Sequence, residues 1–190
     1  MQPDELLHIL HTAEKLKDTT RHCCTSGGRR ESVAEHSWRL ALMAFFLRDE
    51  FPRADMDKVL RMCLIHDLGE CFTGDIPSFS KTPADEAREE RLLYAWVDAL
   101  PAPYAAEMRT LYREMAALET EEAKIYKALD KLEAVIQHNE SDLSTWTENE
   151  YSLNLTYAQS NVAFSPYLTA LRQAIRRETE EKIDREKKIK

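Results

Sequence analysis

Apolar residues recur at helical spacing along most of this chain. Leu6, Leu7, Leu10, Ala13 and Leu16 mark a helix over residues 4–16. The pattern then breaks. Residues 17–31 hold Thr, Cys, Ser, the pair Gly27-Gly28 and several basic residues, and read as a loop long enough to be suspected of function. Ser32 with Glu35 forms a capping box, so a helix starts there and runs to about Arg48. Val33, Leu40, Ala41, Ala44, Phe45 and Leu47 supply its apolar side, and Pro52 stops it. Asp57 is placed to cap a short helix through Val59, Leu60, Met62, Cys63 and Leu64, ending in His66-Asp67-Leu68-Gly69-Glu70.

Thr73-Gly74-Asp75-Ile76-Pro77 reads as a turn. Thr82 and Pro83 open a helix to Leu100, and Pro101 and Pro103 end it and begin the next, with Leu111, Met115 and Leu118. Thr120, followed by Glu121 and Glu122, starts a helix through about His138 whose core stripe is Ile125, Leu129, Leu132 and Ile136. Residues 139–155 are polar and carry no clear assignment. A last helix begins near Ser165-Pro166 and holds Leu168, Leu171 and Ile175. No strand alternation persists and no internal repeat is visible. The expected fold is all-α: one helical bundle over residues 1–175, with 176–190 a charged helical end or tail.

Composition narrows the function. With 43% apolar and 32% charged residues, the chain reads as a soluble globular domain. A net charge of −8 argues against the broad basic face that a nucleic-acid polymer needs, while leaving room for a local basic pocket that takes a small anion. No apolar run approaches the roughly 20 residues of a membrane span, and the N-terminus lacks a secretory pattern. Cys23, Cys24, Cys63 and Cys71 form no CxxC pair. The reading is a reduced, cytoplasmic protein without a thiolate zinc site.

The chemistry-bearing residues are two histidines and two aspartates. His66-Asp67 ends one expected helix, where Gly69 is expected to let the backbone bend so that both side chains meet one ion. His36 sits one turn into the capped helix, and Asp130 lies beside Leu129 on the later one. Taken singly, each has a plain alternative: a capping pair, a core histidine, a surface charge paired with Lys127 or Lys131. Together they make a mixed nitrogen and oxygen donor set suited to a divalent ion. Such an ion activates water and polarises a phosphoryl or ester oxygen. Trp38, Phe45 and Phe46 read as core or interface, and Met43 and Met62 as packing.

Three segments carry a family resemblance. They are Glu31-Ser32-Val33-Ala34-Glu35-His36-Ser37, the spacing His66-Asp67, Glu70, Gly74-Asp75, Pro77, and Ala128 to Glu133. The chain resembles the HD-domain metal-dependent phosphohydrolases over roughly residues 10–140, and within them the 5′-deoxynucleotidase branch. The resemblance implies that His36, His66, Asp67 and Asp130 hold one divalent ion (Co, Mn, Mg, Fe, Ni or Zn). It implies that Glu70 transfers protons and that Asp75 orients the nucleophile. Arg21, fifteen residues before His36, matches a phosphate-binding arginine, with Arg29 and Arg30 as further candidates. The family usually has Trp after that arginine, and here it is His22, so His22 joins the substrate-binding candidates. The implied substrate is a small phosphate ester, a deoxynucleoside 5′-monophosphate in the first place. Another phosphorylated metabolite, or a non-catalytic binding role, stands as the alternative. The resemblance also raises a homodimer.

Overall fold

The computed structural model describes residues 1–77 and 80–187. Helix α1 (Pro3–Ala13) runs into a 3-10 turn and then a β-hairpin of β1 (Thr20–Cys24) and β2 (Arg30–Ser32). Next come α2 (Val33–Leu47), α3 (Met56–Ile65), the short α4 (Glu70–Thr73), α5 (Pro83–Asp98) and α6 (Ala102–Ala117). The chain continues through α7 (Glu121–Glu140), α8 (Glu148–Thr156), α9 (Gln159–Val162) and α10 (Pro166–Lys187).

Helix α7 is the centre of the bundle. Helices α2, α3, α6, α9 and α10 and strand β1 all pack on it. Its stripe explains why. Ile125, Leu129 and Leu132 are wholly buried and Ile136 packs against the same core. Each fully buried leucine contributes roughly 1.5–3 kcal/mol. Leu40 and Ala44 of α2 and Val59 and Met62 of α3 join that core. The capping boxes at Ser32/Glu35 and Thr82/Asp85 are in place, so the entries to α2 and α5 are defined by local sequence.

Three local expectations need correction, and one unassigned segment gains a helix. The segment 17–31 is not an open loop: β1 and β2 pair antiparallel. Strands of five and three residues with an irregular register are too short to advertise alternation. The turn is fixed by Thr25 N–H donating to Arg29 O at 2.7 Å, and by Gly28 at φ +83°, a backbone setting that suits glycine. The cap of α3 is Asp55, whose carboxylate accepts from Lys58 N–H at 2.9 Å, and Asp57 is the helix's second residue, within its first turn. Residues 139–155 include α8, and the signal for it was present: Thr147 and Glu150 make a reciprocal capping box. Gly69 does not bend the backbone, since its φ of −58° is helical. Its role is space: a Cβ there would lie 2.8 Å from Glu89 Cγ.

At the C-terminus, α10 continues through residue 176 to Lys187, with Thr179 fully buried and its hydroxyl donating to Asn139 Oδ1 at 2.9 Å. Residues 188–190, the end of the segment expected as a charged end, lie outside the described residues.

Candidate metal centre and its cavity

Three helical segments bring the sequence-selected donors together. His36 projects from α2 and Asp130 from α7. His66 caps the end of α3. Between α3 and α4 the chain tightens, with Leu68 N–H donating to Ile65 O and Glu70 N–H to Asp67 O, and this swings Asp67 back beside His66. The resulting distances are short. His66 Nε2 lies 2.9 Å from Asp67 Oδ2 and 3.3 Å from His36 Nε2. Asp130 Oδ1 lies 3.3 Å from His36 Nε2 and 3.8 Å from His66 Nε2, and Asp67 Oδ2 is 3.9 Å from His36 Nε2.

The donor atoms of His36, His66 and Asp67 all lie within 4.8 Å of one another, with Asp130 Oδ1 beside both imidazoles, a spacing that fits a single cation. Donors about 2.0–2.2 Å from one ion stand about 3 to 3.5 Å apart when adjacent and about 4 Å when opposite. Ring orientation agrees. His66 Nδ1–H donates to Cys63 O at 2.9 Å, and His36 Nδ1–H donates to Glu133, so both Nε2 lone pairs face inward. Lys127 Nζ donates to Asp130 Oδ2 at 2.7 Å, which leaves Oδ1 for the centre.

The electrostatics favour a cation as well. Burial opposes charge on Asp67, but His66 and His36 outweigh it and hold the carboxyl at about 2. Burial likewise opposes charge on Asp130, and Lys127 and His36 hold it well below the usual carboxylate range. Both are ionised at neutral pH, as metal ligands must be. Burial and Arg21 work against a proton on His36, yet Asp130 and Glu133 raise it to about 9. A field that holds a proton so firmly attracts any other cation placed there.

Asp67 and Asp130 line a cavity of about 420 Å³, a size suited to a small organic ligand, and the two imidazoles are buried behind them. Arg21, Glu70, Asp75, Lys81, Lys127 and Lys131 also line it. The hairpin supplies Arg21, whose Nη1 is 3.8 Å from Asp67 Oδ2 and whose Nε is 3.1 Å from Glu31. Glu70 is 7% exposed and its Oε2 has no hydrogen-bond partner among the described residues. Burial, reinforced by the charges of Asp67 and Asp75, pushes its carboxyl up to about 10. Gly74, at φ +76°, ends α4 and turns Asp75 toward the same space.

His22 lines the cavity, with Nε2 3.0 Å from Glu150 Oε1. Arg29 does not reach it. Its guanidinium is exposed and grips Glu35 at 2.5 Å and 2.8 Å. Arg30 is exposed too and donates to the carbonyls of Arg21 and His22, bracing the hairpin.

Sequence reasoning left Glu133 without a role. It is wholly buried, bound to His36 and, at 2.6 Å, to Arg39 Nε. Its signal was a charge placed four residues after core Leu129, on the buried side of α7. Replacing Glu133 with alanine frees the His36 ring and strips the imidazole of its proton acceptor. Affinity for a divalent ion is expected to fall by about 10–100-fold. Isothermal titration of the variant with Mn²⁺ measures this, and unchanged affinity would show that His36 needs no such support.

A family model described as the HD domain matches residues 13–172. The chain belongs to the HD-domain family. Within that family it is 37% identical over 112 residues to 5′-deoxynucleotidase HDDC2 of Mus musculus, which is 58% of this chain and 55% of that protein. It is 27% identical over 158 residues to 5′-deoxynucleotidase hdd1 of Schizosaccharomyces pombe, covering 75% and 79%. The chain spans about half the length of the first of these curated relatives. Among solved structures, a predicted metal-dependent phosphohydrolase from Magnetospirillum magnetotacticum superposes with a TM-score of 0.78 at 29% identity, covering 94% of this chain and 93% of that one. A conserved hypothetical protein from Pyrococcus furiosus gives 0.70 at 30%, covering 90% and 99%. The all-α HD architecture expected from the sequence is the one found, with the small hairpin added to it.

Proposed function

We propose that this HD-domain protein is a divalent-metal-dependent phosphomonoesterase that releases phosphate from deoxynucleoside 5′-monophosphates. One observation carries the reading. His36, His66 and Asp67 converge at single-ion spacing with Asp130 Oδ1 beside both imidazoles, at the edge of a cavity that also holds a buried carboxyl at Glu70 whose Oε2 has no hydrogen-bond partner among the described residues. The curated relatives named as 5′-deoxynucleotidases support the substrate class.

The four residues hold the ion, and a bound divalent ion supplies Lewis-acid activation of water and of a phosphate oxygen. Arg21 receives the phosphate oxygens, its guanidinium matched to a bidentate contact. Glu70 keeps its proton at neutral pH and is therefore the acid that gives a proton to the departing 5′ oxygen. Asp75 orients the nucleophile. Lys81, Lys127 and Lys131 add positive charge around an anionic substrate inside an acidic protein. A mixed imidazole and carboxylate set accepts Mn, Co, Fe, Ni, Zn or Mg.

His22 motivates a second reading, in which the same chemistry serves another nucleotide or phosphorylated metabolite. A panel of phosphate esters assayed for released phosphate separates the two. Deoxynucleoside 5′-monophosphates at the head of the panel support the first reading. Turnover confined to another ester contradicts it.

A homodimer is part of the proposal. Trp38, Leu42, Phe45 and Phe46 stand 38–73% exposed along α2, so the stripe that the sequence left as core or interface is not core. Apolar area of this kind suits a second copy. Sedimentation is expected to give twice the 22.0 kDa chain mass, and a monomer at micromolar concentration would remove the claim. No helix among the described residues is long and apolar enough to cross a membrane. The four cysteines are unpaired, which supports a reducing, cytoplasmic setting.

A further inference from the structure

One group in the cavity has no part in the chemistry above. Asn154 of α8 is 2% exposed, lines the cavity, and its Nδ2 donates to nothing among the described residues. A buried amide donor without an acceptor is rare and costs free energy. Its surroundings are rigid. At the start of α8, Glu150 Oε2 accepts from Thr147 N–H at 2.6 Å, while its Oε1 faces His22 Nε2 at 3.0 Å and His138 Nε2 at 3.3 Å. At the end of α8, buried Arg172 donates to Asn154 O at 2.8 Å and to Tyr157 O at 2.6 Å. The backbone carbonyl of Asn154 is thus held in place, which fixes where its side chain meets the cavity wall.

Asp130 and His138 both line the cavity from α7, and eight residues of helix set them about 12 Å apart. The ion-binding end accounts for a phosphate. The remaining length faces α8 and is walled by Ala134, Val135 and Leu153 as well as by polar His22 and Glu150. A wall that combines apolar Ala134, Val135 and Leu153 with the unsatisfied amide donor of Asn154 suits a ring system that carries a hydrogen-bond acceptor.

We propose that Asn154 is a specificity-determining residue whose amide donates to an acceptor on the nucleoside half of the substrate. The inference rests on the nucleotide-hydrolase reading above. The acceptor belongs either to the base, as a carbonyl or ring nitrogen, or to the sugar, as a hydroxyl oxygen.

The test compares wild type and Asn154→Ala, loaded with Mn²⁺, on three substrates: deoxynucleoside 5′-monophosphates, 2-deoxyribose 5-phosphate and p-nitrophenyl phosphate. The variant is expected to lose about tenfold in kcat/KM on the nucleotides, mostly through KM, and less than about twofold on p-nitrophenyl phosphate. A parallel loss on 2-deoxyribose 5-phosphate places the acceptor on the sugar, and no loss there places it on the base. Melting temperature is expected to hold or rise, because an unsatisfied buried donor is removed. Should the alanine variant fold poorly, Asn154→Asp keeps the shape, exchanges the donor for an acceptor, and is expected to show the same selective loss. Equal losses on all three substrates, or no loss on nucleotides, overturn the inference. Wild type that cleaves p-nitrophenyl phosphate but no nucleotide overturns instead the reading beneath it.

Discussion

Asp67→Ala is expected to remove both ion binding and turnover while leaving the fold in place. Asp67 Oδ2 is the donor closest to His66 Nε2, at 2.9 Å, and it also faces His36 Nε2 at 3.9 Å and Arg21 Nη1 at 3.8 Å. In the proposed four-donor centre its loss leaves three donors and takes away one of the two anionic charges that would compensate a divalent ion. Activity is expected to fall by about three orders of magnitude or more, and the metal content of purified protein to drop well below one ion per chain. The side chain stands 19% exposed at the cavity wall and makes no core contact of the kind Leu129 or Met62 makes, so far-ultraviolet circular dichroism is expected to match wild type. Asp67→Asn keeps a donor oxygen but no charge and is expected to fall between the two. An alanine variant that retains its ion and its rate would remove Asp67 from the centre.

Glu70→Gln carries the second large effect. The glutamine is nearly isosteric and fills the same buried space, but it has no proton to give. A positioned general acid contributes about 10²–10⁴-fold, so kcat is expected to fall in that range with KM little changed. Ion content is expected to hold, which separates this variant from Asp67→Ala.

The pH dependence follows from the same residue. The folded protein keeps the Glu70 proton up to about 10, while the unfolded chain releases it near the ordinary 4.5. The folded state therefore binds more protons between those values. Its contribution to stability is full below about 4.5 and is lost as pH rises toward 10. Glu70→Gln removes that decline, and its melting temperature is expected to overtake that of wild type on the alkaline side. A variant that loses rate but melts with the wild-type pH profile would mean that Glu70 is ionised in the fold.

The helices were legible because their signals are local. Ser32/Glu35, Thr82-Pro83 and the stripe Ile125, Leu129, Leu132 each specify an element within a few residues. The hairpin was hidden because its pairing is set by a turn at Thr25–Arg29 and by packing on α7, neither of which leaves a periodic trace. The same holds for the site. His36, His66, Asp67 and Asp130 stood out by residue type and order, and the fold sets them within 4 Å of at least one partner. Glu133 and Glu150 act through contacts to other elements, Glu133 to His36 of α2 and Glu150 to His22 of β1 and His138 of α7, and Asn154 is picked out only by its place at the cavity wall. In sequence they are ordinary polar positions on helical segments. Arg29 illustrates the opposite error: a basic residue in the right segment whose charge is already engaged by Glu35.

The proposed activity is metal-dependent hydrolysis of a deoxynucleoside 5′-monophosphate at a centre formed by His36, His66, Asp67 and Asp130. Its most direct test is phosphate release from these nucleotides by purified protein. The protein is assayed after loading with Mn²⁺ or Co²⁺ and again after chelation. The loaded protein is expected to yield stoichiometric deoxynucleoside and phosphate, to lose the reaction on chelation, and to recover it when the ion is restored. Loaded protein that leaves every deoxynucleoside monophosphate intact while cleaving a different phosphate ester would contradict the proposed activity.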